Sequence, residues 1–255
     1  QGVIQVPEDA KLFGSPIAAI YTPFSFILIY EVYLLVYYLP HSITTYIGKQ
    51  YEIITLIIIR RIFKDLANLE LTANWFQVKD DLQFTYDLLT SLILFFLIFL
   101  FYTISHQRKG KERDESSSKK IAQFVRLKVV IAVLLVPILF LLGSYSFLYW
   151  SINQFSAGEV NGSLKDVNAI FFDEFFTLLI LVDVVLLLFS LFHTDRFHTV
   201  IRNSGFIIST ILLRLSFSAS GLLNNVLILA AVVFGVLILL IFNQYEKSNW
   251  PEVRP

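Results

Sequence analysis

Residues 175–189 read Phe175-Phe-Thr-Leu-Leu-Ile-Leu-Val-Asp183-Val-Val-Leu-Leu-Leu-Phe189, and residues 206–217 read Phe206-Ile-Ile-Ser-Thr-Ile-Leu-Leu-Arg214-Leu-Ser-Phe217. Each is an apolar run broken by a single charge. Apolar runs near 20 residues are the signature of transmembrane helices. A charge at mid-depth in lipid costs at least about 2.5–3.5 kcal/mol by insertion scales, so it needs a partner or a task. Asp183 and Arg214 are candidates to be each other's partner.

The rest of the chain has the same character. Of its 255 residues 56% are hydrophobic, including 25 Phe and 12 Tyr, and only 16% are charged. Mean hydropathy is +0.69. Lys and Arg balance Asp and Glu at 20 each, so there is no basic face for nucleic acid. With no cysteine there is no disulfide framework, thiolate chemistry or cysteine metal site. Methionine is also absent, so Gln1 is not a translation start. A cleaved signal peptide would leave it as the mature terminus and put the N-terminus outside; a trimmed chain would look the same.

Seven segments follow along the chain. After a mixed arm over residues 1–19, the first span runs Ile20 to Leu39 and stops at Pro40, with Tyr30, Tyr33, Tyr37 and Tyr38 suited to an interface belt. The second, Ser42 to Phe63, is weaker because it carries Gly48, Lys49 and Glu52 before Arg60-Arg61; it either spans or is re-entrant. A polar stretch from Lys64 to Asp81 contains Trp75 and Phe76 as interfacial anchors. The third span is Phe84 to Ile104. The fourth is Leu127 to Trp150, with a kink expected at Pro137. The fifth is Ala169 to Phe192, the sixth Gly205 to Phe217 and the seventh Leu222 to Phe242.

The loop from His106 to Lys120, HQRKGKERDESSSKK, is the most polar stretch, and the positive-inside rule puts it in the cytoplasm. Ser151 to Asn168 is then an outer loop, with a chance-level glycosylation triplet at Asn161. His193 to Asn203 is a loop on the inside, and the C-terminus is cytoplasmic. The fold class is therefore all-α: a polytopic transmembrane bundle with six or seven membrane segments, one domain over residues 1–255, with the polar loop 106–120 inside it. The residue choice, rich in Phe, Ile, Lys and Tyr, points to a bacterial inner membrane. No internal repeat marks an inverted-repeat transporter.

Charge placement carries what the sequence says about function. Asp183 and Arg214 each lie about ten residues, roughly 15 Å, from the inner end of consecutive antiparallel spans, so they share a depth. Their pair reads first as a structural clip between helices and second as part of an ion or proton path. Glu31 in the first span and Glu52 in the second need polar surroundings or a proton; they either join Asp183 in a relay or make ordinary interhelical bonds. A second, outer layer gathers Arg60, Arg61, Asp87, Asp173 and Glu174 at helix ends. It is either interface charge or an outer vestibule. Arg60, Arg61 and Lys64 on the outer side conflict with the positive-inside rule unless acids hold them.

Other chemistry is not visible. One arginine within the sixth span is not the repeated series of a voltage sensor. The four histidines, His41, His106, His193 and His198, are scattered and lack metal spacing, so neither a metal nor a cofactor is expected. No nucleophile–base set is present, so the chain is not expected to be an enzyme. Asn224-Asn225 faces Ser216, Ser218 and Ser220 and is expected to bond across helices. The functional expectation is an ion channel or transporter with a charged path between helices, with the lipid bilayer and a small inorganic ion or proton as its partners. The alternative is a non-transporting subunit or scaffold of a larger membrane complex. Homo-oligomers fit the first reading and membrane-complex partners the second.

Overall fold

The computed structural model describes residues 30–66, 79–106, 119–156, 178–179, 181–186, 188–189 and 197–248, and among them there are helices and turns but no strand. Five long helices are defined: α1 Ile43–Leu66, α2 Lys79–His106, α3 Lys119–Ser156, α4 Phe197–Ser216 and α5 Leu222–Lys247. Residues 30–38 and the described residues between 178 and 189 are also helical.

The chain is an all-helical membrane protein. Three segments are long and apolar enough to cross a bilayer: Asp81–His106, Phe124–Tyr145 and Leu222–Lys247. They match the third, fourth and seventh expected spans. Their outer faces are covered with large apolar side chains, such as Leu92, Phe95 and Phe99 on α2 and Val133, Phe140 and Leu141 on α3. In water such surfaces would be an aggregation liability; in lipid they are the solvated face.

α1, α2, α5 and α4 pack as a closed ring, each touching the next, with α1 also against α4. The ring closes on an aromatic core in which Tyr51, Phe101 and Phe206 are fully buried. Tyr51 and Phe101 meet edge to face at 5.2 Å between centroids, a favoured geometry for aromatic pairs. α3 joins the bundle through a narrow stripe, Lys128, Ala132, Leu135 and Leu139, whose 4–3–4 spacing is one helical face. α3 continues as helix through Pro137.

Several expectations change. The second segment, expected either to span or to be re-entrant, is a continuous 24-residue helix. Its charges lower its hydropathy, but most of them point into the bundle and find partners there. The inside loop expected over His193 to Asn203 is helical from Phe197 onward. Arg202 holds that extension by lying over the Phe242 ring at 4.4 Å, a cation–π contact that hydropathy does not register. Arg214 is in the last turn of this helix, which ends at Ser216, rather than mid-helix. The outer loop expected from Ser151 is helical as far as Ser156. The arm 1–19, residues 107–118 of the polar loop, and Asp173 and Glu174 lie outside the described residues.

Two glycines have positional roles. Gly221 has φ of +65° in the turn between α4 and α5, a backbone region that suits a residue without Cβ. Gly235 lets α5 approach α1: a Cβ there would overlap the Tyr51 hydroxyl and come within 3.1 Å of Ser209 Oγ. Gly235→Ala is expected to destabilise the bundle by about 1–3 kcal/mol, the usual cost of overpacking. Adding Tyr51→Phe, which removes the overlapping oxygen, is expected to recover part of that loss. Thermal unfolding in detergent, followed by circular dichroism, checks both; a silent Gly235→Ala would mean the two helices are not held this closely.

Candidate functional site

α1 is the helix from which the polar interior is organised. Its residues supply partners for buried acids on three other segments, at two levels along its axis.

The first level surrounds Asp183. Arg214 Nη2 lies 2.9 Å from Asp183 Oδ2. Tyr46 donates its hydroxyl to Oδ1 at 3.0 Å, and Gln50 Nε2 donates to Oδ2 at 3.5 Å. Thr210, whose hydroxyl donates to the Ile207 carbonyl at 2.9 Å, lines the cavity beside Arg214. Asp183 and Arg214 are both nearly inaccessible. The two residues that opened the sequence reading thus meet in the fold. Gln50, Tyr46 and Thr210 were not singled out there, because isolated polar residues in an apolar segment carry no pattern.

Lys128 is the further addition. It is buried at 4% exposure on α3, and its Nζ donates to the carbonyl of His41 at 3.0 Å. With Asp183, Tyr46 and Ile207 it lines a cavity of about 20 Å³. A second cavity of about 20 Å³ lies beyond the ion pair, lined by Leu35, Gln50, Ile54, Thr210, Leu213 and Arg214. Each has room for about one water molecule. Lys128 falls at the start of the fourth span, where a basic residue passes as an ordinary flank, so sequence alone gives it no weight.

The second level lies near the other end of α1. Arg61 forms a two-pronged pair with Asp87: Nε donates to Oδ2 and Nη2 to Oδ1 at 2.6 Å. The same guanidinium reaches Asn224 Oδ1 at 2.8 Å and Asn225 Oδ1 at 2.5 Å. Asp87 also accepts from Gln83 Nε2 and Asn225 Nδ2, both at 2.7 Å. Asn224 Nδ2 donates to the Ser216 carbonyl at 2.6 Å, which ties in the end of α4. The asparagines therefore bond across helices as expected, and serve an arginine and an aspartate that the sequence reading had placed in a separate group.

Arg60, one residue away, faces a different helix. Its Nη1 is 3.9 Å from Glu31 Oε2, outside hydrogen-bonding distance. Glu31 is buried at 2% exposure, and neither of its carboxylate oxygens has a hydrogen-bond partner among the described residues. The outer layer is thus split: Arg61 goes with Asp87, and Arg60 with Glu31. Each arginine therefore faces an acid, the condition that the sequence reading set for cations at this end. Glu52 is separate from Asp183. It pairs with Lys49 Nζ at 2.7 Å and accepts from Tyr102 at 2.6 Å, on the face of α1 that meets α2. Among the described residues, no group of three acids, histidines or cysteines is placed to hold a metal.

The fold and this interior define an α-helical membrane protein with a charged core organised around α1. No protein-family model, curated protein or solved structure matches the chain.

Proposed function

We propose that the chain is an integral membrane ion channel or transporter whose path follows the charges between its helices. The observation that carries the reading is the Asp183 site: an aspartate, an arginine and a lysine, all deeply buried, beside two cavities of about 20 Å³ each. Ionisable groups at depth are costly, and in membrane proteins they mark ion and proton routes. In this reading α4 and the described helices near 30–38 and 178–189 also span, giving six segments, or seven with α1. The basic loop and the C-terminus face the cytoplasm of a bacterial inner membrane. The protein acts alone or as a homo-oligomer and needs neither cofactor nor catalytic residues.

A second reading, a non-transporting subunit of a larger membrane complex, draws on α3. That helix is 38 residues long, about 57 Å at 1.5 Å per residue, and presents Val129, Val133, Val136 and Phe140 outward. Such a face suits another protein's helix as well as lipid. The purified protein in liposomes decides between the two. Selective flux of protons, sodium, potassium or chloride is expected from the first reading. No flux of any of them, with partners retained in mild detergent, would establish the second.

A further inference from the structure

We propose that Glu31 is a proton-binding site within the bundle, whose carboxyl carries a proton at rest and pairs with Arg60 when it releases that proton. The site's part in transport rests on the channel or transporter reading, which it narrows to the proton as the ion taken up.

The helix over residues 30–38 has two faces. Glu31, Leu35 and Val36 are buried, whereas Tyr30, Tyr33 and Tyr37 are exposed. Positions i and i+4 of a helix share a face, so Glu31 stands with Leu35 on the apolar, inward side. Lys49 of α1 lies over the Tyr38 ring, which sets the end of this helix beside the start of α1. Glu31 is nearly two turns further back, about 10 Å along the axis, away from the exposed turn at His41 and Ser42.

Two other buried acids are well supplied with donors. Asp183 accepts from Tyr46 and Gln50 and pairs with Arg214 of α4. Asp87 accepts from Arg61, Gln83 and Asn225. No donor among the described residues reaches either oxygen of Glu31. The charged group that faces it is Arg60 of α1, at 3.9 Å, about 1 Å beyond hydrogen-bonding distance. Asp81 is also buried without a donor among the described residues. It stands in the first turn of α2, however, where free N–H groups and the helix dipole favour an anion.

A carboxylate taken out of water without hydrogen bonds is far more costly than a neutral acid, and such a group takes up a proton instead. The neutral acid needs no cation at contact distance, which fits the gap to Arg60. On release one O–H bond of Glu31 breaks, its electron pair stays on the carboxylate, and the proton passes to a water molecule that leaves as hydronium. The guanidinium then closes the gap of about 1 Å and donates to the carboxylate. Arg60 has further interactions of its own, and its five N–H donors let the new bond form without their loss. A metal cation does not suit the same place, because it would meet one carboxylate and, 3.9 Å from it, a positive charge.

The test is infrared difference spectroscopy of the full chain in liposomes, recorded from acidic to alkaline pH, with ion flux measured in the same vesicles. The expected result is a protonated-carboxyl band that gives way to a carboxylate band as pH rises, absent in Glu31→Gln and retained in Asp81→Asn. Glu31→Gln keeps the shape of the neutral acid and is expected to melt near the temperature of the unaltered protein. Glu31→Leu, which suits the face that Leu35 occupies, is the second variant for assigning the band. Proton flux is expected to fall to the level of empty vesicles in both. A spectrum with no protonated band from Glu31, or with one that persists to alkaline pH, overturns the proposal whatever the vesicles carry. A band that titrates without flux of any ion keeps the proton site and removes the transport reading. Proton flux unchanged in both Glu31 variants keeps the transport reading and overturns the part given to Glu31 in it. Flux of sodium, potassium or chloride in place of protons overturns the proton as the ion carried.

Discussion

Replacing Asp87 with alanine is expected to destabilise the bundle by about 3–5 kcal/mol, the cost of leaving one member of a buried ion pair uncompensated. Asp87 is fully buried and Arg61 is 28% exposed, so solvent softens the loss on the arginine side and places it toward the lower end. The same removal takes acceptors from Gln83 and Asn225, and these donors then lack partners. By contrast, Asn224→Ala removes one acceptor from Arg61, and a single interhelical hydrogen bond in a membrane averages about 0.6 kcal/mol. The expected order is Asp87→Ala far above Asn224→Ala, with the double variant Asp87→Leu/Arg61→Leu recovering much of the loss because neither charge is then buried alone. Unfolding in detergent of the three variants measures it. Equal losses for Asp87→Ala and Asn224→Ala would mean that the ion pair is not what holds α1, α2 and α5 together at this end.

The sequence was most legible where one property dominated. Phe84 to Ile104 and Leu222 to Phe242 are apolar throughout, and the helices that contain them run Lys79–His106 and Leu222–Lys247. Where polar and apolar residues mix, hydropathy failed in a consistent direction. It shortened α4 by the turns that contain His198 and Arg202, which rest on Tyr245 and Phe242 through ring contacts. It also weighed α1 as polar, because it counts Arg60 and Arg61 as exposed when they face Glu31 and Asp87. The presence of one lone charge in each of two consecutive apolar spans was enough to suggest Asp183 and Arg214 as partners, although the depth count did not hold for Arg214, whose helix begins at Phe197. It was not enough to divide the outer charges, because two adjacent residues on one helix point about 100° apart, and only the neighbouring helices decide what each meets. Lys128 was missed for the same reason: burial of a basic residue at a helix flank depends on what packs over it.

Asp183→Ala is expected to be as damaging as the loss of Asp87. Asp183 and Arg214 side chains are 2% and 5% exposed, so solvent does little to relieve the arginine, and about 3–5 kcal/mol is again the expected cost. Arg214→Ala strands the carboxylate in the same way, although Tyr46 and Gln50 continue to donate to it, so its loss is expected to be the smaller of the two. The double variant Asp183→Leu/Arg214→Leu should regain most of the stability, because replacing a buried pair by apolar side chains is often neutral or stabilising. This makes it the substitution that separates holding helices together from moving an ion. If the pair were only a clip, the refolded double variant would carry ions at the rate of the unaltered protein. In the conducting reading it has lost both buried charges of the path, and ion flux is expected to fall to the level of empty vesicles while the circular dichroism and melting temperature stay near their original values.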